Sequence, residues 1–281
     1  MSERNAGPSP GTLHVVATPI GNLADLSPRA RQVLAGVDAV CAEDTRHTRA
    51  LLSAFGIERP LVALHEHNED AQSATIVARL RSGESLALVS DAGTPLVSDP
   101  GYRLVRAVRA AGLTVSPVPG PCAAIAALSV AGLPSDRFCF EGFLPAKSGA
   151  RRERLRALAR EPRTLVFYET GHRIEESLAD FISEFGAQRE AVLGRELTKL
   201  FETVLGDTLA ELLTKVQADA NQRKGEFALV VRGSEDDAEA VLAEGKRLYA
   251  KLVEHMKPSQ AAKLAAELSG APRKALYNAG E

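Results

Sequence analysis

The chain has 281 residues, of which 45% are hydrophobic and 25% are charged, a composition typical of a globular protein with an ample core. Its net charge of −2 carries no overall signal for nucleic-acid binding, and no apolar run approaches the roughly 18 residues that a membrane-spanning helix needs. Residues 1–11 lack the apolar segment of a secretory signal and predict a disordered tail. Cys41, Cys122 and Cys139 lack metal-site spacing, which favours free thiols in a reducing cytoplasm.

The first half of the chain alternates between strands and helices. The helix at 27–36 is representative, because Ser27 is a capping residue and Pro28 suits the first helical position. The five predicted strand–helix pairs are 13–18 with 27–36, 39–43 with 45–55, 61–67 with 70–81, 85–89 with 102–111, and 113–118 with 121–132. This alternation predicts a mainly parallel sheet covered on both faces, and ligands of such sheets bind beyond the carboxyl ends of the strands.

The second half predicts a mixed sheet and therefore a second α/β domain. Strands are predicted at 138–144, 164–170, 190–197, 201–207 and 226–233, and helices at 151–163, 174–185 and 207–219. Only a few residues separate two of these strands, 190–197 and 201–207, so we expect them to form an antiparallel hairpin.

We predict four segments in total. They are a tail at 1–11, an N-terminal α/β domain at 12–132, a C-terminal α/β domain at 133–233, and, after an acidic linker, a helical appendage at 240–281.

Positive charge is concentrated in two places. Residues 246–281 carry seven Lys or Arg against three Glu, and residues 151–163 carry six Arg against two Glu. The tail also has the helix–glycine–helix spacing of a helix-turn-helix, so it predicts an RNA-binding appendage. The alternative for the tail is a helical cap on the body of the protein. The alternative for residues 151–163 is a solvated helix face.

The segment SDAGTPLVSDPG, residues 90–101, follows a buried strand and is acidic where a phosphate-binding loop would be basic. Carboxylates at a strand end accept hydrogen bonds from hydroxyl and ammonium groups. We therefore expect a ligand with a ribose, an amino group or a sulfonium, and S-adenosylmethionine has all three. Asp99 precedes Pro-Gly and is interpreted as a helix cap, whereas Asp91 has no such role and is the candidate ligand contact.

Eight motifs in order resemble the ribosomal RNA small subunit methyltransferase I family of the tetrapyrrole (corrin/porphyrin) methylase superfamily. They are ATPIGNLADLS, CAEDTRHTRALL, LVSDAGTPLVSDPGYRLV, PGPCAAIAAL, FEGFLP, FYETGHR, GRELTKLFE and GEFALVV. The resemblance implies two domains with S-adenosylmethionine between them and a cytoplasmic homodimer. It also implies 2′-O-methylation of a cytidine in the decoding region of 16S rRNA, within the small ribosomal subunit.

The resemblance also implies a set of cofactor-binding positions. They are Pro19, Gly21, Asp91, Ala92, Gly93, Thr94, Ser98, Pro121, Ala123, Ala124, Tyr168, Gly225 and Phe227. Two departures from the family pattern are Cys122, where the family has serine, and Thr170-Gly171, where it has Ser-Pro. The first departure weakens a side-chain hydrogen bond to the cofactor at 122.

Methyl transfer to a ribose hydroxyl needs in-line alignment, and a general base adds roughly 10²–10⁴-fold. Candidates for that base are Asp44, Glu169 and Lys199, with Lys199 favoured because Arg195 could lower its pKa by like-charge repulsion. Arg46, near Asp44, could hold the target nucleotide or make surface salt bridges. The predicted RNA contacts are Arg46, Arg49, Arg151, Arg152, Arg173, Arg195, Lys257, Arg273 and Lys274.

The sequence also bears on other possible functions. His65 and His67 lie on one face of a predicted strand but have no further ligand set, so no metal is expected. A serine hydrolase is excluded because the chain has no Gly-x-Ser-x-Gly. Two alternatives remain: a related methylase acting on a tetrapyrrole, which the basic tail disfavours, and a DNA-binding, ligand-sensing regulator.

Overall fold

The computed structural model describes residues 10–65, 67–234 and 236–277. Two five-stranded sheets follow one another along the chain, and a set of helices ends it. The predicted fold class, two α/β domains with a parallel and then a mixed sheet plus a small helical unit, is confirmed.

The first sheet is entirely parallel, with strand order β3-β2-β4-β1-β5. Its strands are β1 Thr12–Val16, β2 Ala39–Ala42, β3 Leu61–Ala63, β4 Leu86–Val89 and β5 Thr114–Val118. The connecting helices are α1 Pro28–Gly36, α2 Thr45–Ala54, α3 Glu69–Arg81 and α4 Tyr102–Ala110.

Alternate residues of each central strand enter different apolar clusters. In β4, for example, Leu86 and Leu88 pack in one cluster while Ala87 and Val89 pack in another. Because side chains alternate across a strand, both faces of the sheet are buried, as a parallel sheet requires. The carboxyl ends of the strands remain uncovered by these helices and can receive a ligand.

Strand β3 ends four residues earlier than the sequence predicted. The Asn68 side chain accepts a hydrogen bond from the His65 N–H at 2.9 Å and donates one to the Ala63 carbonyl at 3.1 Å. These bonds satisfy the His65 N–H and the Ala63 carbonyl, which a longer strand would have paired with a neighbouring strand, so β3 ends at Ala63.

The second sheet is mixed, with strand order β6-β7-β10-β8-β9. Its strands are β6 Phe138–Phe143, β7 Thr164–Thr170, β8 Glu190–Arg195, β9 Thr203–Thr208 and β10 Glu226–Val231. Its helices α6 Ser148–Leu158, α7 Ile174–Phe185 and α8 Leu209–Ala218 cover one face. The predicted hairpin of β8 and β9 is confirmed, with antiparallel pairing from Glu190–Thr208 to Arg195–Thr203.

Helix α5, Ala123–Val130, covers the opposite face of this second sheet. Its Ala124, Ala127 and Leu128 pack with Val166 of β7 and Val230 of β10. The proposed domain boundary at residue 132 therefore separates α5 from the sheet that it covers. Because α5 follows β5 directly, its amino terminus lies at the ligand-binding end of the first sheet and links the two domains.

Three helices complete the described chain: α9 Asp236–Leu252, α10 Pro258–Ser269 and α11 Arg273–Tyr277. They share a separate apolar cluster that includes Tyr249, Ala262 and Leu276. Within the described ranges, no helix is long and apolar enough to cross a membrane.

Candidate functional site

A cleft of about 340 Å³ lies between the strand-end loops of the first sheet and strands β7, β8 and β10 of the second. The first domain and α5 contribute Ile20, Glu43, Asp91, Ala92, Gly93, Thr94, Val97, Ser98, Asp99, Cys122 and Ala123. The second domain contributes Phe143, Tyr168, Glu169, Thr170, Gly194, Glu196, Leu197, Lys199, Glu226, Phe227 and Ala228.

The acidic loop at 90–101 is fixed to its neighbours by backbone bonds. Thr18 and Gly93 exchange two backbone hydrogen bonds of 2.9 and 3.1 Å, and the Thr94 hydroxyl donates to the Pro121 carbonyl at 2.9 Å. Gly93 has a φ of +81°, and a Cβ there would come within 3.2 Å of the Ile20 side chain. The loop therefore presents a preformed floor to the cleft, which no larger residue at 93 could form unstrained.

Two non-glycine residues of the same loop have backbone angles in the left-handed region that normally suits glycine. Leu96 has a φ of 73° and Ser98 has a φ of 67°. Such strain costs of order 1–3 kcal/mol per residue and persists where the surroundings impose it, commonly at binding sites.

Asp91 connects the acidic loop to the beginning of α2. Its Oδ1 accepts a hydrogen bond from the Asp44 N–H at 3.1 Å, so Asp91 has a structural role that the sequence did not reveal. It also lines the cleft, and carboxylate lone pairs beyond that bond are available to a ligand. The structure thus leaves room for the predicted cofactor contact.

Asp44 is not suited to be the general base. It caps α2 and binds Arg46 in an ion pair of 2.7 Å, with the Arg46 side chain 91% exposed. Hydrogen bonds from the Arg46 side chain and backbone hold the Asp44 pKa far below its ordinary range, so Asp44 stays ionised and is a poor proton acceptor. The prediction for Asp44 is corrected accordingly.

Asp99 does not cap its helix, contrary to the sequence interpretation. The residue before α4 is Gly101, and the helix has no side-chain cap. Asp99 instead lines the cleft with Asp91 and Glu43. Burial, together with repulsion from Glu43 and Asp91, raises its pKa to about 6 against the effect of a hydrogen bond from Ser90. A carboxylate with this pKa is matched to proton transfer near neutral pH.

Tyr168 joins the two domains at the cleft wall. Its hydroxyl accepts a hydrogen bond from the Ala124 N–H at 3.0 Å, which satisfies a free donor at the start of α5. Its ring packs edge-on against Phe140 and Phe143, with centroid distances of 4.9 and 5.5 Å. Burial raises the pKa of the Tyr168 phenol above its ordinary value, so it stays neutral.

Glu169 is held by three donors and is a positioning residue. Its carboxylate accepts hydrogen bonds from the Ser177 hydroxyl at 2.6 Å, the Thr170 N–H at 2.9 Å and Arg173 at 3.3 Å. Arg173 also donates to the Leu144 carbonyl at 2.8 Å. Both side chains are engaged inside the protein, so neither the role of Glu169 as a base nor the RNA contact of Arg173 is favoured.

Lys199 reaches the cleft from the turn after β8. Its ammonium donates to Glu196 at 2.8 Å and to Glu226 at 2.9 Å, and its carbon chain lies so close to Gly21 that a Cβ there would overlap it. Burial opposes ionisation, but the two carboxylates outweigh it and raise the Lys199 pKa. The expectation that Arg195 lowers this pKa is therefore wrong, and Lys199 is a cation in the cleft.

The predicted RNA contacts divide by exposure. Arg46, Arg49, Lys257, Arg273 and Lys274 are exposed, and Arg152 is half exposed beside Glu184. Two others are buried: Arg151, 1% exposed, binds Asp180 at 2.7 Å, and Arg195, 7% exposed, donates to the carbonyls of Lys224 and Phe201. Arg151 and Arg195 are corrected to structural residues, because buried guanidiniums with internal partners cannot reach a phosphate.

The predicted cofactor positions fall into two groups. Those that line the cleft are Asp91, Ala92, Gly93, Thr94, Ser98, Ala123, Tyr168 and Phe227. Those in adjoining segments that do not line it are Pro19, Gly21, Pro121, Ala124 and Gly225.

Sequence reasoning missed several residues of the cleft, above all the charged ones Glu43, Asp99, Glu196 and Glu226. All four lie at strand ends or in strand-end loops, a signal that could have identified them. His65 and His67 pack ring to ring at 6.1 Å, and within the described ranges no cluster of three or more His, Cys, Asp or Glu could hold a metal.

Comparison with known proteins finds related sequences along most of the chain. Residues 12–213 match the family of tetrapyrrole (corrin/porphyrin) methylases, and residues 235–280 match the RsmI C-terminal HTH domain. The protein named ribosomal RNA small subunit methyltransferase I from Xylella fastidiosa is 68% identical over 269 residues, which cover 96% of this chain and 98% of that protein. Its namesake from Escherichia coli O157:H7 is 54% identical over 274 residues, covering 98% and 96%.

Solved structures agree in fold. Uroporphyrin-III-C-methyltransferase from Thermus thermophilus superposes with a TM-score of 0.54 at 23% identity, covering 79% of this chain and 94% of that one. Diphthine synthase superposes with a TM-score of 0.58 at 18% identity, and the match covers 79% of this chain and 90% of that one.

Proposed function

The chain belongs to the ribosomal RNA small subunit methyltransferase I family within the tetrapyrrole methylases, and from this premise we propose that it methylates RNA of the small ribosomal subunit with S-adenosylmethionine as methyl donor. In finer detail, the proposed product is a 2′-O-methylated cytidine in the decoding region of 16S rRNA. The observation that carries the proposal is the interdomain cleft, whose acidic loop and apolar walls suit this donor.

The residues present fit S-adenosylmethionine. Asp91 offers a carboxylate to the hydroxyl and ammonium hydrogens of the cofactor, and no Arg or Lys in that loop would attract a phosphate instead. Ile20, Leu197 and Phe227 supply apolar walls, and Gly93 lets the Ile20 side chain pack closely against the cleft floor. Asp91, Ala92, Gly93, Thr94, Ser98, Ala123, Tyr168 and Phe227 are the proposed cofactor-binding residues.

The bound donor supplies a methyl group that its sulfonium already activates, so the protein's main task is to align the ribose hydroxyl. Asp99 is the proposed acceptor of the hydroxyl proton, because it is ionised at neutral pH and faces the cleft. Lys199, a cation on the opposite wall, stabilises negative charge on the hydroxyl oxygen as the proton leaves. Glu169 and Ser177 hold the end of β7 in position.

The remaining parts of the chain have proposed roles in substrate binding. Arg46 and Arg49 are exposed on α2, which begins two residues after the cleft residue Glu43, and Lys257, Arg273 and Lys274 are exposed on the basic C-terminal helices. Together they offer two sites of phosphate attraction, one near the chemistry and one remote from it. A cytoplasmic homodimer acting on the small subunit completes the proposal.

Labelled S-adenosylmethionine tests this function directly. Purified protein is incubated in parallel with naked 16S rRNA, with assembled small subunits and with a tetrapyrrole, and both RNA samples are prepared without the methyl group. The expected result is that label enters the RNA at one cytidine and that the RNA backbone after this cytidine resists alkaline cleavage. Label in a tetrapyrrole but in neither RNA sample would instead support a related methylase.

A further inference from the structure

The turn between β8 and β9, residues 196–202, exposes apolar side chains to solvent and is called here the hairpin tip. Leu200 is 89% exposed and Phe201 is 66% exposed, side by side at the edge of the second sheet. Exposure of these two apolar side chains to water does not stabilise the fold. Adjacent exposed apolar side chains commonly mark a contact surface.

The hairpin tip is ordered by internal bonds, so this exposure is built into the backbone. The Lys199 N–H donates to the Glu196 carbonyl at 2.9 Å, and the Glu202 N–H donates to the Lys199 carbonyl at 3.1 Å. The Glu202 carboxylate accepts from the Thr198 N–H at 2.6 Å. Glu196 and Thr198 hold left-handed backbones, with φ of 49° and 68°, and such strain is common in functional loops.

Phe201 is anchored from beneath. The buried guanidinium of Arg195 donates to the Phe201 carbonyl at 2.9 Å and to the Lys224 carbonyl at 2.8 Å. One side chain thus fixes the aromatic residue beside an exposed lysine, since Lys224 is open to solvent. This also explains why Arg195 is buried and does not itself bind RNA.

The hairpin tip continues into the reaction cleft. Lys199 and Glu196 line the cleft, and Lys199 lies against Gly21 of the first domain. Phe201 is two residues from Lys199, so whatever touches Phe201 lies beside the cleft entrance. The carboxylates of Glu196, Glu202 and Glu226 offset the nearby cations, so the surface suits an uncharged planar group better than a phosphate.

We propose that Phe201, with Leu200 beside it, stacks on a base of the single-stranded RNA next to the nucleotide that enters the cleft. This inference rests on the proposed function. The ribose of the target has to reach the methyl donor inside the cleft, so the target nucleotide leaves its own stack. An aromatic ring at the entrance replaces part of the stacking lost by the neighbouring base.

Substitutions at 201 separate stacking from simple apolar contact. Phe201→Ala is expected to weaken binding of a 16S rRNA transcript roughly 5- to 100-fold, the usual range for loss of one aromatic stack. Phe201→Trp should restore affinity, whereas Phe201→Leu should behave like Phe201→Ala. Because Phe201→Ala removes no charge, the slope of affinity against salt concentration should be unchanged.

Phe138→Ala is the matched control. Phe138 is an exposed phenylalanine, 38% accessible, on β6 at the opposite edge of the same sheet, and its removal should leave RNA affinity unchanged. Titration with S-adenosylmethionine and sedimentation of every variant verify that the cofactor site and oligomeric state are intact.

Three results would overturn the inference: unchanged RNA affinity in Phe201→Ala, wild-type affinity in Phe201→Leu, or dissociation of an oligomer on mutation, which would assign the surface to a second copy of the chain. The proposed function itself would be refuted if the wild-type protein methylated no small-subunit RNA. Unchanged RNA affinity in Phe201→Ala would refute only the stacking role of Phe201.

Discussion

Asp91 offers the sharpest test of the cofactor site, because its two roles can be separated. Its Oδ1 accepts the Asp44 N–H at 3.1 Å, and the same carboxylate faces the cleft. Asp91→Asn keeps an oxygen for the Asp44 N–H but removes the charge. Asp91→Ala removes both, and leaves the Asp44 N–H without its partner.

Both substitutions should therefore weaken cofactor binding, but they should differ in their effect on the stability of the fold. A hydrogen bond to a charged group contributes about 1.5–3 kcal/mol, so each variant should bind S-adenosylmethionine roughly 10- to 150-fold more weakly. Only Asp91→Ala should also lose fold stability, by about 1 kcal/mol for the Asp44 bond.

Isothermal titration calorimetry measures the first quantity and thermal unfolding without ligand measures the second. Thr94→Ser serves as a control, because it keeps the hydroxyl that binds the Pro121 carbonyl. Wild-type cofactor affinity in a folded Asp91→Asn protein would remove Asp91 from the site. Equal stability of the two variants would refute its structural role.

Five further expected results rest on contacts already described. The single-turnover methylation rate should rise with pH through about 6 and then level off, and Asp99→Asn should remove this rise along with most activity. The raised folded-state pKa of Asp99 costs stability once pH exceeds its ordinary value of 3.8 and in full above about 6, so Asp99→Asn should melt higher than wild type at pH 7.5 but not at pH 3.5. Lys199→Met should abolish methyl transfer while calorimetry shows intact cofactor binding; a wild-type rate would exclude Lys199 from the reaction. Deleting residues 236–281 should spare cofactor affinity and flatten the salt dependence of RNA binding, and an unchanged slope would make this segment a mere cap. Arg151→Met should destabilise the fold by about 3 kcal/mol on chemical denaturation, because the largely buried Asp180 carboxylate would keep only the Ser148 hydroxyl as a partner, whereas the exposed Arg49→Met should not.

Local sequence patterns were sufficient for most of the secondary structure. Ser27 and Pro28 open α1 as predicted, and the Ser27 side chain accepts the Ala30 N–H at 3.0 Å. The order of strands and helices along the chain also predicted the change from a parallel to a mixed sheet. These features depend on neighbours within a few residues, so they can be read from sequence directly.

Patterns of charge were less informative about the site, because exposure and partners are set by residues distant in sequence. Arg151 stands in an arginine-rich segment that predicts a basic surface, yet Asp180, 29 residues later, draws it into the interior. Lys199 has Arg195 near it in sequence, but its pKa is governed by Glu196 and by Glu226 from another strand.

The sequence by itself therefore determined the fold class, the element order and the acidic loop that lines the cleft. Only the tertiary structure decided which carboxylate of that loop has a raised pKa. Asp91 and Asp99 are the same residue type in the same loop. Packing gives Asp91 a hydrogen bond from the Asp44 N–H, whereas it places Asp99 in a half-buried position near two other carboxylates. Desolvation and charge repulsion depend on three-dimensional distance, which local sequence does not encode.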